Sequence, residues 1–220
     1  MKIIKNPLSK NWQEVLKRPT QTVDDIEATV NEIFAEVRSK GDQAIEKYTS
    51  LFDGIAIKNI EVSSEEIQQA EKEISAELKE AIQLAKENIT KFHAAQKTER
   101  VEVETQKGVK CWQEKRPIQK VGLYIPGGSA PLFSTILMLA VPAQLAGCQE
   151  VILCTPPDKK GNIHPAILYT TNLCGVTKIF KVGGIQAIAG LTFGTESIPQ
   201  VYKIFGPGNQ FVTVAKQLAT

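Results

Sequence analysis

The feature that most constrains the fold is a pattern of strand, turn and helix that recurs about every 25 to 30 residues in the second half of the chain. Apolar runs typical of buried strands occur at 121–125, 151–155, 178–182 and 201–205. Helical stretches follow these runs at 134–146, 165–174, 184–193 and from 209 onward. Such units favour a parallel sheet, and the sequence therefore predicts an α/β fold.

The distribution of charge indicates that the first half is built differently. Residues 1–115 carry 39 of the 50 Asp, Glu, Lys and Arg side chains, and residues 116–220 carry the remaining 11. Apolar residues recur at helical spacing between Thr22, placed to cap a helix, and Gly41, placed to stop it. We therefore expect solvated amphipathic helices first and a more buried sheet after them.

Further elements of the first half follow from local signals. A second, shorter helix ends at Asp53-Gly54. Ser63 and Glu66 have the spacing of a capping box, and the apolar residues after them predict one long helix that continues through Ile74. Residues 100–117 alternate about a Lys-Gly turn, which predicts a small hairpin.

Composition argues against several classes of partner. The net charge is +2, which indicates neither a nucleic-acid nor an anionic membrane surface. No apolar run reaches the roughly 18 to 20 residues of a membrane span. The first residues lack the apolar core of a signal peptide, so a cytoplasmic location is the default expectation.

The cysteines and histidines do not suggest a metal or catalytic centre. The four cysteines have no CxxC spacing, and we expect them to be small buried hydrophobic residues in a reducing compartment. The two histidines, His93 and His164, are far apart in the chain. We therefore predict no metal ligands and no catalytic residues among these 220 residues.

Glycine-bearing turns follow three of the four predicted strands: Gly127-Gly128, Gly183-Gly184 and Gly206-Pro207-Gly208. Ligands of parallel sheets bind at this edge, where the following helices begin. Glycine there permits a tight turn, and it also leaves the backbone bare for a ligand. Both interpretations stay open, and a nucleotide-type or anionic ligand would suit the second. The GxGxxG fingerprint is absent.

Three polar side chains accompany these turns. Tyr124 closes the first strand and could line a cofactor or pack the sheet edge. Gln186 lies in the first turn of an otherwise apolar helix, and Asn209 stands where it could simply cap the last helix. No general base or nucleophile accompanies them. From the residues alone, this is a binding module.

Several long motifs resemble histidinol dehydrogenases: VGLYIPGGSAPLFSTILMLAVPAQLAGC, VILCTPP, GGIQAIAGLTFGTESIPQVYKIFGPGN and VTVAKQLA. The resemblance is close over about 120 to 220 and looser before that. It implies oxidation of L-histidinol through histidinal to L-histidine with two NAD molecules and zinc. It also implies a homodimer and Rossmann-like domains related to the aldehyde dehydrogenase architecture.

Matched residue by residue, the resemblance places NAD contacts on Tyr124, Gln186 and Asn209. The bare turns beside them add Gly127, Gly128, Gly184 and Gly208 to the expected cofactor site. The zinc ligands and the acid–base residues of the family would lie beyond residue 220, so we expect the chain alone to be inactive.

The resemblance also implies three parts. We expect an N-terminal arm at 1–20, a mainly helical portion of a split domain with the hairpin at 21–117, and a Rossmann-like NAD-binding domain at 118–220. Two other functions remain open at this point. One is a non-catalytic nucleotide-binding or regulatory module of the same fold, and the other is an aldehyde dehydrogenase-like enzyme with a cysteine nucleophile.

Overall fold

The computed structural model describes residues 3–17, 23–57, 59–128, 130–176 and 178–219. A short 3-10 helix at Ser9–Asn11 comes first. The helices and strands then follow in the order α1 (Trp12–Val15), α2 (Val23–Lys40), α3 (Asp42–Asp53), α4 (Ser64–Glu73), α5 (Ala76–Ala94), β1 (Val101–Gln106), β2 (Val109–Gln113), β3 (Lys120–Tyr124), α6 (Phe133–Ala146), β4 (Glu150–Thr155), α7 (Pro165–Leu173), β5 (Lys178–Lys181), α8 (Gly184–Phe193), β6 (Lys203–Phe205) and α9 (Gln210–Leu218).

The central element is a parallel four-stranded sheet with the strand order β5-β4-β3-β6. From β3 the chain steps outward to β4 and β5, and it then returns to place β6 on the other side of β3. The α/β fold with a Rossmann-like parallel sheet is thereby confirmed. The strand order reverses between β3 and β6, and ligands of such sheets bind at the carboxyl ends of the strands near this reversal.

Each face of the sheet is covered by two layers of helices. Side chains of a strand alternate between the faces. Val121 and Leu123 of β3 therefore pack in the core with α6 and α7, whereas Tyr124 packs in the core with α8 and α9. Helices α4 and α5 cover α7 and α6, respectively, and α2 and α3 lie against α8. The N-terminal helices thus bury both faces of the sheet domain.

The start of α3 is capped by the loop that follows α8. The Glu196 carboxylate accepts a hydrogen bond from the Asp42 main-chain N–H at 2.7 Å. The Asp42 carboxylate in turn accepts from the Ser197 hydroxyl at 2.5 Å. Carboxylates at a helix N-terminus are stabilised by the helix dipole. This reciprocal pair fixes α3 against α8.

Residues 54–62, which we call the crossing segment, connect α3 on one face of the sheet to α4 on the other. The segment starts at Gly54, whose left-handed φ of 72° ends α3. Its far end lies beside β5, where the Ile60 carbonyl accepts from Lys181 N–H at 2.8 Å and Val62 N–H donates to the Ile179 carbonyl at 2.9 Å. Between them Glu61 makes an antiparallel bridge to Phe180. Residues 60–62 at the end of the crossing segment therefore border the sheet beside β5.

Most local expectations for the N-terminal helices are confirmed. The capping box is formed, with Glu66 N–H donating to Ser63 Oγ at 3.3 Å and Ser63 N–H donating to the Glu66 carboxylate at 2.9 Å. The prediction of one continuous helix through Ile74 is wrong, because Ile74 is extended (φ −95°, ψ 133°) and ends α4. Ser75 then caps a new helix, α5, by accepting from Leu78 N–H at 3.2 Å. Thr22, the expected cap of α2, lies outside the described residues.

The predicted hairpin is present, with β1 and β2 paired antiparallel and both exposed along their whole length. The prediction for the cysteines holds only in part. Cys154 and Cys174 are buried and Cys148 is partly buried, but Cys111 on β2 is exposed because the hairpin stands away from both cores. Within the described residues, no helix combines the length and the apolar character that a membrane crossing requires.

The contacts of Glu36, which link α2 to α3, indicate how the stability of the protein depends on pH. Its carboxylate accepts hydrogen bonds from Lys40, Lys47 and the Tyr48 hydroxyl at 2.8, 2.6 and 2.6 Å. These donors, Lys40 first, lower the pKa of Glu36 from 4.5 to about 2. A depressed folded-state pKa adds stability above the unfolded-state value, and this stability is lost as pH falls from about 4.5 towards 2.

We therefore expect Glu36→Gln to lower the melting temperature at neutral pH and to lower it less, relative to wild type, at pH 3. Melting curves by circular dichroism between pH 3 and pH 7 measure both effects. Glu32→Gln is the matched control, because Glu32 is an exposed residue of the same helix. An equal loss for Glu36→Gln at both pH values would contradict the prediction.

Candidate ligand site at the carboxyl edge of the sheet

Tyr124 marks the centre of the site because it is the last residue of β3, the strand at which the order reverses. The residue is only 4% exposed, and its hydroxyl oxygen accepts a hydrogen bond from Gly184 N–H at 3.1 Å. Burial raises the pKa of Tyr124 above its ordinary value, and the nearby Asp53 charge raises it further. The phenol therefore stays protonated at neutral pH.

Gln186 lies one turn into α8 and is completely buried. Neither its Nε2 nor its Oε1 atom has a hydrogen-bond partner among the described residues. Each buried polar group without a partner costs about 1 to 3 kcal/mol. An amide with both ends unpaired in an apolar helix is therefore explained by a ligand or ordered water that completes its hydrogen bonds.

Gly184 joins these two residues. Its φ of +62° is a conformation that other residues adopt only with strain. A Cβ atom at this position would also lie 2.8 Å from Gln186 Oε1. The glycine therefore permits the turn that directs its own N–H to Tyr124, and it leaves room for the Gln186 amide.

The other glycines of the predicted site have different surroundings. A Cβ on Gly127 would lie 2.6 Å from the Pro156 ring, and a Cβ on Gly208 would overlap Val212 one turn into α9. Both glycines thus have a packing reason that is independent of any ligand. Gly128, by contrast, faces open space within 4 Å. Assignment of Gly127, Gly128 and Gly208 to ligand binding stays a prediction.

Asn209 caps helix α9, which is the alternative to a ligand contact that the sequence offers for this residue. Its Oδ1 atom accepts from Val212 N–H at 3.1 Å at the start of α9. The residue is exposed, so its Nδ2 group remains accessible. Gly206, just before it, lies directly against the Tyr124 carbonyl. The structure therefore brings Tyr124 and Gln186 together at Gly184, and it places Asn209 at the start of α9, after the adjacent strand β6.

A cavity of about 750 Å³ opens at the same edge, on the side of α4 and α7. One wall is the Gly127-Gly128 turn, and another is the loop from Pro156 to Asp158 after β4. Helix α4 contributes Glu65, Glu66 and Glu73. The sequence pattern did not indicate this acidic wall, because α4 reaches the cavity only through its packing on α7.

Asp53, the last residue of α3, is a second polar residue that the sequence did not single out. Its Oδ2 atom is buried and has no hydrogen-bond partner among the described residues. Burial raises the pKa of this carboxyl group above its ordinary value. No local motif marks Asp53, which comes near Tyr124 only through tertiary packing.

The described residues contain no group of three or more His, Cys, Asp and Glu side chains that could hold a metal ion. Burial raises the pKa of the Cys154 thiol, and it raises that of Cys174 to about 11. A nucleophilic cysteine needs a lowered pKa and access to substrate. These two thiols therefore give no support to the cysteine-nucleophile alternative.

The parallel sheet with its reversed strand order and helices on both faces is a Rossmann-like α/β fold. The unpaired amide of Gln186 lies at the edge where ligands of such folds bind. A sequence model of histidinol dehydrogenase matches residues 16–220. The chain belongs to the histidinol dehydrogenase family.

Individual relatives agree with this assignment. The chain is 59% identical over 220 residues to the histidinol dehydrogenase of Bacteroides thetaiotaomicron, covering 100% of this chain and 51% of the relative. It is 53% identical over 210 residues to the Escherichia coli K12 enzyme, covering 95% and 48%. The crystal structure of histidinol dehydrogenase from Elizabethkingia anophelis superimposes with a TM-score of 0.89 at 54% identity, covering 97% and 49%. The chain thus spans about half the length of these relatives.

Proposed function

We propose that the whole protein is an NAD-dependent histidinol dehydrogenase that oxidises L-histidinol through histidinal to L-histidine. Family membership supports the reaction, since the relatives bear that name. The observation in this chain that supports the cofactor is the buried, unpaired amide of Gln186 beside Tyr124 at the strand reversal. A dinucleotide offers the hydroxyl, amide and phosphate groups that would complete such a site.

The residues of the edge fit NAD, which would supply the hydride acceptor. Gln186 can donate and accept at once, and the Tyr124 hydroxyl can donate its hydrogen. The N-termini of α8 and α9 carry partial positive charge, which suits a pyrophosphate. Asn209 has a free amide group at the second of these helix starts. In this proposal Gly127, Gly128, Gly184 and Gly208 let the ligand approach the backbone.

Further properties of the proposed enzyme come from the family resemblance. They are use of zinc through residues outside this chain, a homodimer, a cytoplasmic location and L-histidinol as the small-molecule substrate. The division into an arm at 1–20, a helical portion of a split domain at 21–117 and a cofactor domain at 118–220 is proposed on the same basis. The helices of the second part already pack on both faces of the sheet.

The test is reduction of NAD by the complete gene product. With L-histidinol, NAD and zinc, we expect NADH to form in a two-to-one ratio to the histidine produced. A folded protein that binds NAD but forms no NADH would instead favour the non-catalytic module. A folded protein that neither binds NAD nor forms NADH would overturn the proposal.

A further inference from the structure

The polar surroundings of Tyr124 include a residue from outside the sheet domain. Helix α3 packs on α8 and ends at Asp53, and the crossing segment then leads the chain to the other face of the sheet. Ile55 of this segment packs beside Gly161, in the loop after β4. A Cβ atom on Gly161 would lie 3.3 Å from Ile55 Cδ1. The end of α3 therefore lies over the carboxyl edge, where the ligand site is.

One carboxylate oxygen of the partly exposed Asp53 resembles the Gln186 amide in its hydrogen bonding. Its Oδ2 atom is buried without a partner, as are both polar atoms of the Gln186 amide. Asp53 also lies close enough to Tyr124 for its charge to act on the phenol. Two elements that are distant in the sequence but pack on each other, the end of α3 and the first turn of α8, thus carry buried polar atoms without a hydrogen-bond partner among the described residues.

We propose that Asp53 is a further cofactor-binding residue, contributed by the helical region, whose carboxylate accepts a hydrogen bond from a ribose hydroxyl of the dinucleotide. The assignment rests on the proposed use of NAD. A carboxylate only accepts hydrogen bonds, so it selects a donor. Ribose hydroxyls are such donors, and a carboxylate is the side chain that binds them in related folds.

The negative charge of Asp53 also indicates which part of the cofactor lies near the end of α3. A carboxylate repels phosphate, so the pyrophosphate belongs at the start of α9 beside Asn209, and not at the start of α8, which lies beside Tyr124. Binding of the ribose would also fix the end of α3 against the sheet domain. Asp53 therefore couples cofactor binding to the position of the N-terminal helices.

The test uses the complete gene product and two variants, Asp53→Asn and Asp53→Leu. Glu46→Gln is the matched control, because Glu46 is an exposed acid on the same helix. Affinity for NAD is measured by titration calorimetry, and the melting temperature without ligand is measured beside it. The second measurement separates a binding role from a structural one, since removing a carboxylate oxygen that is buried without a partner is not expected to destabilise the free protein.

We expect Asp53→Leu to weaken NAD binding at least tenfold and Asp53→Asn to weaken it less, because the amide oxygen still accepts. The melting temperature of both free variants should equal or exceed that of wild type, and Glu46→Gln should change neither quantity. Unchanged NAD affinity in both Asp53 variants overturns this assignment alone. Weaker binding with a lower melting temperature of both free variants also overturns it, in favour of a structural role. A wild-type protein without NAD affinity overturns the proposed function together with it.

Discussion

Replacement of Gln186 by methionine is expected to stabilise the ligand-free protein and to abolish its affinity for NAD. Methionine has nearly the shape of glutamine but no polar group that needs a partner. Because both amide atoms of Gln186 are buried and unpaired, the free protein should gain about 1 to 3 kcal/mol. The same change removes the donor and the acceptor that we assign to the cofactor. Most substitutions destabilise, so a gain at this position would show that the amide has no partner in the free protein.

Chemical denaturation and NAD titration of the complete gene product measure the two effects separately. Gln68→Met is the matched control, because Gln68 is an exposed glutamine on α4, and the same chemical change there should alter neither quantity. A lower denaturation midpoint for Gln186→Met would show that the amide is satisfied in the free protein. Wild-type NAD affinity in the variant would remove Gln186 from the site.

Replacement of Lys181 by methionine is expected to destabilise the protein by about 2 to 3 kcal/mol. The Lys181 side chain is only 9% exposed, and its Nζ lies 2.6 Å from Glu66 Oε1. Removal of one partner from a buried ion pair costs about 3 to 5 kcal/mol. Glu66 is 33% exposed, so water would compensate part of its lost partner and the cost should lie below that range.

Lys178, at the other end of strand β5, supplies the control for Lys181. Lys178 pairs with Glu61 at 4.0 Å, and both side chains are about half exposed. Lys178→Met should therefore cost less than about 1 kcal/mol. The double variant Lys181→Met/Glu66→Gln should recover part of the loss, because no unpaired charge remains. Equal losses of unfolding free energy for Lys178→Met and Lys181→Met in urea denaturation would contradict the prediction that the buried ion pair contributes more stability than the exposed one.

The strands and helices of the sheet domain could be predicted because their signals are local. Each apolar run ends in a turn with Gly or Pro, and the predicted helix 184–193 coincides with α8. The break between α4 and α5 could not be predicted in this way. Apolar residues keep their helical spacing across Ile74. Because serine occurs inside helices as well as at their caps, Ser75 alone does not indicate that a new helix begins.

The residues of the candidate site also fall into those with a local sequence signal and those without one. Tyr124 and Gln186 could be singled out because one closes a strand and the other interrupts an apolar helix. Asp53 could not, because only the packing of α3 on α8 brings it near Tyr124. Sequence also cannot distinguish a glycine that makes room for a ligand from one that makes room for protein. The Pro156 ring beside Gly127 and the Val212 side chain beside Gly208 are visible only in three dimensions.

The reciprocal cap between Asp42 and the loop after α8 has a consequence for synthesis on the ribosome. Asp42 and Ser197 are separated by 155 residues, and the helices on which α2 and α3 pack include α8 and α9 near the end of the chain. At about 5 to 20 residues per second, the nascent helices wait roughly 8 to 30 s for those partners. During that interval their apolar faces remain open to water and to other chains. The time at which these helices can fold is therefore set by the rate of translation through α8 and the loop that follows it.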